Sequence, residues 1–269
     1  MSELALLGGQ KAVADPPRER WVRVNDEVKS AVMALLDAGV ITISDSTGVI
    51  GEFEAEFAEA VGARHALAMN SGTNTLHSAY FALGVGPGDE VLLPAYTWHA
   101  TATPIMHCGA TPVFCDIQPE SMTIDPDDVE RRITDRTKAL CVVHVWGNVC
   151  DMDRLCAIAE AQHLALIEDA SHAHGARWRG KPVGGIGDVG CFSLQGSKSV
   201  SGGEAGVAVT DDDALLDRMI LLGHFGRPRI GGVQIVDEIG DMSLGAKYRA
   251  HPWAIAMALV GLRRLAELN

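Results

Sequence analysis

The chain has 269 residues, enough to bury one large hydrophobic core or two small ones. Its formal net charge of −13 argues against nucleic acid or an anionic membrane as the main partner. The sequence contains no run of about 18 apolar residues, and Met1–Gly9 lacks the basic start of a signal peptide. The six cysteines form no CxxC pair and several lie in apolar runs, which is typical of reduced thiols. We therefore expect a cytoplasmic protein without a membrane span.

The N-terminal region predicts an arm followed by two helices. Residues 1–24 are predicted to form an extended arm, because Pro16-Pro17 would stop a helix there. Asn25 is a predicted N-cap for a first helix, since Asp and Glu fill the turn that follows. The apolar stripe of this helix is Val28, Ala31, Val32 and Leu35. A second amphipathic helix is predicted from about Glu52 to Val61.

From residue 65 onward, short apolar runs alternate with segments of helical length. The predicted strands are Ala66–Met69, Glu90–Leu93, Thr111–Cys115, Ala139–His144, Ala165–Ile167, Gly190–Ser193 and Gly206–Thr210. The predicted helices cover residues 72–83, 98–108, 125–133, 151–162, 211–222 and 251–268. This alternation predicts right-handed βαβ units, and so an α/β fold with a mostly parallel sheet and helices on both faces. The absence of a repeat or linker favours a single domain over residues 25–269.

Ligands of open α/β sheets bind beyond the carboxyl ends of the strands, so the residues after each run are candidates. Asn70-Ser71-Gly72-Thr73 opens a helix whose free N–H groups suit a phosphate, although Ser71 could simply be an N-cap. Pro94-Ala95-Tyr96-Thr97-Trp98 brings aromatic side chains to the next strand end. These rings could stack on a flat ligand or pack in the core.

A carboxylate closes the fifth predicted strand. Asp169 would be costly to bury without a cation, so it could hold a protonated ring nitrogen, or it could only cap the next turn. A metal site from Asp169, His172 and His174 is a weaker alternative, because no further histidine or cysteine follows at ligand spacing.

Lys198 follows the next strand in the small-residue segment 195–206. The segment lacks the GxxxxGK[ST] pattern of a P-loop, and no GxGxxG follows the first strand, which argues against a dinucleotide. A phosphate cradle, an aromatic ring, an acid and a lysine together indicate a pyridoxal phosphate site. In such a site the lysine forms a Schiff base and the acid keeps the pyridine nitrogen protonated.

These motifs, in this order, resemble the DegT/DnrJ/StrS aminotransferases, pyridoxal-phosphate enzymes of fold type I that aminate keto-sugars and keto-cyclitols. The resemblance covers nearly the whole chain and implies that residues 25–269 are the cofactor-binding large domain of that fold. The segments that carry it are Asn70–Thr73, Pro94–Trp98, Ile167–Ala173, Phe192–Lys198 and Gly203–Gly206.

The resemblance implies roles for single residues. Lys198 would be the Schiff-base lysine and proton shuttle, and Asp169 would pair with the pyridine nitrogen. His172 would lie near the cofactor's ring hydroxyl, and Trp98 would stack on the ring. The implied phosphate-binding positions are Gly72, Thr73 and Ser193. The segment His144–Asn148 looks like the family's His-x-x-Gly motif, whose simplest role is to order the loop beneath the cofactor.

The sequence departs from the family pattern in two places. Lys247 stands where many members have an asparagine that reaches the phosphate in the neighbouring subunit, which would make the protein at least a homodimer. The family's smaller C-terminal domain is not recognisable in this sequence. We expect either a fragment or a small domain supplied by a separate polypeptide, and little turnover from this chain alone.

The predicted function is amino transfer from glutamate or glutamine to a keto-sugar or keto-cyclitol, in a pathway that makes an antibiotic or a cell-surface sugar. One alternative is a half-enzyme or non-catalytic subunit that needs a partner chain. A related sugar dehydratase is disfavoured, because those enzymes resemble this chain but carry histidine in place of Lys198.

Overall fold

The computed structural model describes residues 4–5, 8–10, 24–227, 230 and 244–269, so most of the predicted arm over residues 1–24 lies outside the described residues. The strands are β1 (His65–Met69), β2 (Glu90–Pro94), β3 (Thr111–Cys115), β4 (Thr137–Val143), β5 (Ala165–Asp169), β6 (Arg177–Trp178), β7 (Lys181–Pro182), β8 (Val189–Ser193) and β9 (Gly206–Thr210). The helices are α1 (Asp26–Asp37), α2 (Gly48–Val61), α3 (Gly72–Ala82), α4 (His99–His107), α5 (Pro126–Arg132), α6 (Met152–Ala161), α7 (Asp213–Gly223), α8 (Pro252–Arg263) and α9 (Leu265–Leu268).

Seven strands form one sheet in the order β1-β9-β8-β5-β4-β2-β3, and β6 pairs with β7 separately. β9 runs antiparallel to both of its neighbours, whereas the other six strands share one direction. The prediction of a mostly parallel sheet is therefore confirmed. Gly206 at the start of β9 pairs with Met69 and with Ser193, the last residues of β1 and β8. Three chain segments consequently meet at the edge where the parallel strands end.

Helices cover both faces of the sheet, as the alternation of apolar residues in β1 illustrates. Ala66 and Ala68 point into the hydrophobic cluster formed with α2 and α8. Leu67 and Met69 point into the opposite cluster, formed with α3, α4 and α7. A third cluster packs α5 and α6 against the middle strands. All six cysteines are unpaired and four of them are buried, which confirms the prediction of free thiols.

Several helix boundaries follow the predicted signals, and others shift. The side chain of Asn25 accepts a hydrogen bond from the Val28 amide at 2.9 Å, which confirms the predicted N-cap. The prediction for α2 starts four residues late, because the helix begins at Gly48 and already buries Ile50. The last predicted helix is divided at Arg264, whose φ of −105° and ψ of 8° leave the helical range. Within the described part of the chain, no helix is both long enough and apolar enough to cross a membrane.

Candidate functional site

β5 places Asp169 at the carboxyl edge of the sheet. The strand extends two residues past the predicted end at Ile167, because Asp169 still pairs with β4. The Asp169 side chain is 5% exposed. Its Oδ2 accepts a hydrogen bond from the Thr101 hydroxyl at 2.8 Å, and its Oδ1 accepts one from the Ser171 amide at 3.2 Å. The Ser171 contact is the turn cap considered above, yet the carboxylate forms no ion pair with any described lysine, arginine or histidine.

Lys198 lies in the turn after β8, where its amide donates to the Gln195 carbonyl at 2.9 Å. The side chain is half-buried. Burial lowers the pKa of the Lys198 amine, and the negative charge of Asp169 partly opposes that shift. The neutral amine is the form that attacks a carbonyl group, and it is therefore more populated here than on an ordinary surface lysine.

The N-terminus of α3 is packed tightly against the ends of two strands. Ser71 is its N-cap and accepts a hydrogen bond from the Asn74 amide at 3.2 Å. A Cβ on Gly72 would lie 2.7 Å from the Cβ of Ser193, and a Cβ on Gly206 would lie 2.5 Å from the carbonyl carbon of Ser71. Glycine at both positions allows this approach. The result is a cradle of backbone N–H groups at the positive end of a helix.

The remaining predicted phosphate-site residues surround this cradle. Thr73 is half-buried in the first turn of α3. The Ser193 amide donates to the Ser171 hydroxyl at 3.2 Å, which ties the end of β8 to the segment after β5. Asn70, the residue directly before Ser71, donates a hydrogen bond from Nδ2 to the Lys247 carbonyl at 3.1 Å. Lys247 is exposed. Lys247 therefore lies on the rim of the cradle of its own chain.

His172 is held by the segment that follows β4. Its ring stacks on Trp146 with 4.9 Å between centroids and 19° between planes. The Trp146 amide lies 3.5 Å from His172 Nδ1, and the indole N–H donates to the Tyr96 hydroxyl at 3.3 Å. Trp146 has a φ of 55°, in the left-handed region that few bulky residues adopt. Burial lowers the pKa of His172, the charge of Lys198 lowers it further, and the charge of Asp169 partly opposes this, so the net effect favours the neutral imidazole.

Trp98 occupies the N-cap position of α4. It is 68% exposed, and its ring centroid lies 4.6 Å from that of His99. The alternative of core packing is therefore wrong for this side chain. An exposed indole at the strand edge is available to a flat ligand.

His144 and Glu168 form a fully buried pair beneath this edge, with His144 Nε2 and Glu168 Oε2 at 3.0 Å. The Cys150 amide donates to His144 Nδ1 at 3.2 Å, which assigns the ring proton to Nε2 and makes it the donor to Glu168. Glu168 also accepts amide hydrogen bonds at 2.7 Å from Gly184, Ile186 and Gly187. This network supports the interpretation of His144–Asn148 as a loop-ordering segment.

The metal-site alternative gains no support from His174. Its buried ring faces the core, 5.5 Å from the ring of Phe192, and burial lowers its pKa to about 3. No group of three or more His, Cys, Asp or Glu residues within the described ranges is placed to hold a metal ion.

Two residues that touch the predicted site were missed in the sequence. Thr101, fully buried on α4, donates to Asp169, and its hydroxyl lies 2.7 Å from that of Thr97. Thr97 lies one residue before Trp98, the N-cap of α4, whereas Thr101 lies in the first turn of that helix, so helical periodicity does not pair the two threonines. The partner carboxylate lies far away in the sequence, so no local spacing points to it.

The assembled residues fit pyridoxal 5′-phosphate. The fit can be judged at Asp169, a buried carboxylate that accepts hydrogen bonds from two neutral donors and forms no ion pair with a described residue. A protonated pyridine nitrogen would supply that missing charge. Gly72 and Gly206 let the N-terminus of α3 pack closely against the ends of β8 and β9, and this helix end offers N–H groups to a phosphate. Lys198 offers an amine to an aldehyde.

Comparison with known proteins places these features in a family. The model of the DegT/DnrJ/EryC1/StrS aminotransferase family matches residues 23–269. The chain is 46% identical over 225 residues to GDP-perosamine synthase of Caulobacter vibrioides, covering 84% of this chain and 59% of that protein. It is 40% identical over 249 residues to L-glutamine:2-deoxy-scyllo-inosose aminotransferase of Streptomyces lividus, covering 89% of this chain and 58% of that protein.

The fold agrees with the same family. The structure superposes on an aminotransferase from Psychrobacter cryohalolentis with a TM-score of 0.86 and 32% identity, covering 93% of this chain and 65% of that one. This likeness confirms the predicted fold class, the large domain of the fold-type I transferases. The chain spans less than two thirds of the length of each of these three proteins. By the family match and by these identities, the chain belongs to the DegT/DnrJ/EryC1/StrS aminotransferase family.

Proposed function

We propose that the protein is a pyridoxal-phosphate-dependent aminotransferase that moves an amino group from glutamate or glutamine to the keto group of a sugar or cyclitol. The observation that carries the proposal is the pair formed by Asp169 and Lys198. One is a buried carboxylate that forms no ion pair with a described residue, and the other is a half-buried amine whose pKa is lowered by burial. This pair suits a cofactor with a cationic ring nitrogen at one end and an aldehyde at the other.

Each side chain has a task that its surroundings favour. Asp169 would hold the ring nitrogen protonated, because a buried carboxylate stabilises an adjacent cation. When bound, the cofactor supplies an electron sink for charge that develops at the donor's α-carbon. Lys198 Nζ would accept the proton from the α-carbon of the donor and, in the second half-reaction, would deliver a proton to the former carbonyl carbon of the acceptor, since its lowered pKa leaves the amine able to act as a base. The remaining contacts to the cofactor would come from Gly72, Thr73, Trp98, His172 and Ser193.

The donor and acceptor classes rest on relatives. The name of GDP-perosamine synthase indicates a sugar product, and the name of L-glutamine:2-deoxy-scyllo-inosose aminotransferase indicates a glutamine donor and a cyclitol acceptor. The exposed rings of Trp146 and Tyr96 beside His172 support an acceptor of this kind, because aromatic faces with a polar handle pack against partly apolar, partly hydroxylated rings. A biosynthetic pathway for an antibiotic or a cell-surface sugar is the setting that we propose.

The proposal includes a homodimer in which Lys247 reaches the phosphate of the neighbouring subunit. The main chain of this segment is fixed to its own subunit, because Asn70 donates to the Lys247 carbonyl and the Asn70 amide donates to the Tyr248 carbonyl at 2.8 Å. The residue is exposed, so its ammonium group is free to project outward. A lysine adds a full positive charge where a family asparagine would add only a hydrogen bond.

The first test is covalent capture of the cofactor. The protein is incubated with pyridoxal 5′-phosphate, reduced with borohydride and digested, and the modified peptide is identified by mass spectrometry. We expect the adduct on Lys198 and its loss in Lys198→Ala. Lys29→Ala is the matched control, since Lys29 is an exposed lysine on α1 and its loss leaves the site unchanged. An adduct on other lysines with none on Lys198 would contradict the proposal.

The second test separates an enzyme from a binding subunit. Holoprotein is mixed with glutamate or glutamine and with either a nucleotide-activated keto-sugar or a keto-cyclitol, and the keto acid and aminated product are measured. The aminotransferase proposal predicts both products and none with Lys198→Ala. The half-enzyme alternative predicts capture of the cofactor on Lys198 without turnover. A dehydratase would release water from the sugar without consuming an amino donor.

A further inference from the structure

A short chain of hydroxyl groups runs from the site surface to the buried carboxylate. The Oγ1 atoms of Thr97 and Thr101 lie 2.7 Å apart, and Thr101 Oγ1 lies 2.8 Å from Asp169 Oδ2. Thr97 is half-buried at the mouth of the site, whereas Thr101 has no exposed surface. The contact joins α4 to the end of β5 across 68 residues of sequence.

The chemistry of the groups fixes the direction of each hydrogen bond. An ionised carboxylate only accepts, so the Thr101 hydroxyl must donate its single proton to Asp169. The lone pairs of Thr101 Oγ1 then remain to accept the proton of Thr97. Each hydroxyl of the chain therefore has one defined partner to which it donates its proton.

A hydrogen bond from the hydrophobic core also fixes the position of the Thr101 main chain. The hydroxyl of Tyr80, fully buried on α3, donates to the Thr101 carbonyl at 2.9 Å. The two helices pack against each other, so this bond fixes the turn of α4 that carries the threonine. On the carboxylate, Thr101 binds Oδ2 while the Ser171 amide binds Oδ1. Two donors on different oxygens hold the plane of the carboxyl group.

We propose that Thr101 is a positioning residue for the reaction: its hydrogen bond holds the Asp169 carboxylate in the orientation that faces a cationic ring nitrogen, with Thr97 completing the hydrogen bonding of Thr101. This inference rests on the proposed function, because it assigns Asp169 a heteroaromatic cation as its partner. It predicts that the Thr101 hydroxyl affects recognition of the ring nitrogen specifically, and not cofactor binding in general.

The test compares two ligands that differ at one ring atom. Pyridoxal 5′-phosphate carries a ring nitrogen that can be protonated, and its 1-deaza analogue carries a C–H group there. Dissociation constants for both are measured by fluorescence titration on wild-type protein, Thr101→Val and Thr101→Ser. The wild type should prefer the natural cofactor, and Thr101→Val should reduce that preference by roughly tenfold, the value of one hydrogen bond to a charged group. Thr101→Ser keeps the hydroxyl and should retain the preference.

A matched control separates this effect from loss of a buried threonine hydroxyl in general. Thr210 is buried at the far end of β9, and its hydroxyl donates to the Asp188 carbonyl at 2.8 Å. Thr210→Val therefore removes a similar bond away from the site and should leave the ratio of the two dissociation constants unchanged. In Asp169→Asn protein the preference should already be lost, and adding Thr101→Val should change it no further.

The outcomes distinguish this inference from the proposed function. Binding of the natural cofactor with an unchanged preference in Thr101→Val would overturn the role of Thr101 while leaving the proposed function intact. Equal loss of affinity for both ligands would also overturn it, because a purely structural role acts on both. Failure of wild-type protein to bind pyridoxal 5′-phosphate at all would overturn both proposals.

Discussion

Replacing Gly72 by alanine tests the cradle at the N-terminus of α3. The new Cβ would lie 2.7 Å from the Cβ and 2.9 Å from the Cα of Ser193. Carbon atoms prefer a separation of about 3.5–4.0 Å, so the helix end and β8 must separate by roughly 1 Å. The obstructing atoms belong to or adjoin the main chain and cannot rotate away. Overpacking of this kind costs about 1–3 kcal/mol, from which the better helix propensity of alanine recovers at most about 1 kcal/mol.

Thermal unfolding and cofactor titration measure the two consequences. A loss of about 1–2 kcal/mol should lower the melting temperature by roughly 2–4 °C for each kcal/mol in a chain of this size. Moving the helix N–H groups away from the phosphate should weaken pyridoxal 5′-phosphate binding by roughly tenfold or more. Gly86→Ala is the matched control, because a Cβ there meets nothing within 4 Å. If Gly72→Ala melted and bound cofactor like Gly86→Ala, the reasoning about the cradle would be refuted.

Three further predictions concern buried ionisable groups. Burial raises the pKa of Glu168, but its hydrogen bonds with His144 and backbone amides outweigh this and lower it. Its contribution to stability should therefore be present above about pH 4.3 and be lost as the pH falls. Glu168→Gln places an NH2 group opposite backbone N–H donors and should cost about 1–3 kcal/mol in urea unfolding at pH 7, with a smaller difference in acid. The rate of Lys198 acylation, monitored by mass spectrometry, should rise with pH around a midpoint below that of an unperturbed lysine, because burial lowers the pKa of the amine. An equal or higher midpoint would contradict this effect of burial. Burial raises the pKa of Cys108 to about 11, so iodoacetamide at pH 8 should modify it slowly until the protein unfolds; rapid reaction of the folded protein would contradict this.

Local sequence patterns predicted most of the framework of this protein. The seven strands of the large sheet were recognisable as apolar runs, and the N-caps at Asn25 and Ser71 were recognisable from their side chains. Such features depend on neighbouring residues, so they can be read from the chain directly. Placing Lys198 and Asp169 together needed only the rule that parallel strands end at one edge.

The tertiary structure alone decided the contacts between residues that are distant in sequence. The reversal of β9 brings Gly206 between the ends of β1 and β8, a consequence of strand order that no local pattern encodes. The buried bond from Thr101 to Asp169 exists because the first turn of α4 lies next to the last residue of β5. The pairing of His144 with Glu168 exists because β4 lies beside β5. The sequence by itself predicted which residues would carry the chemistry. The packing of helices and strands decided which neighbours fix their orientation, because hydrogen bonds form between groups that are close in space, whatever their separation along the chain.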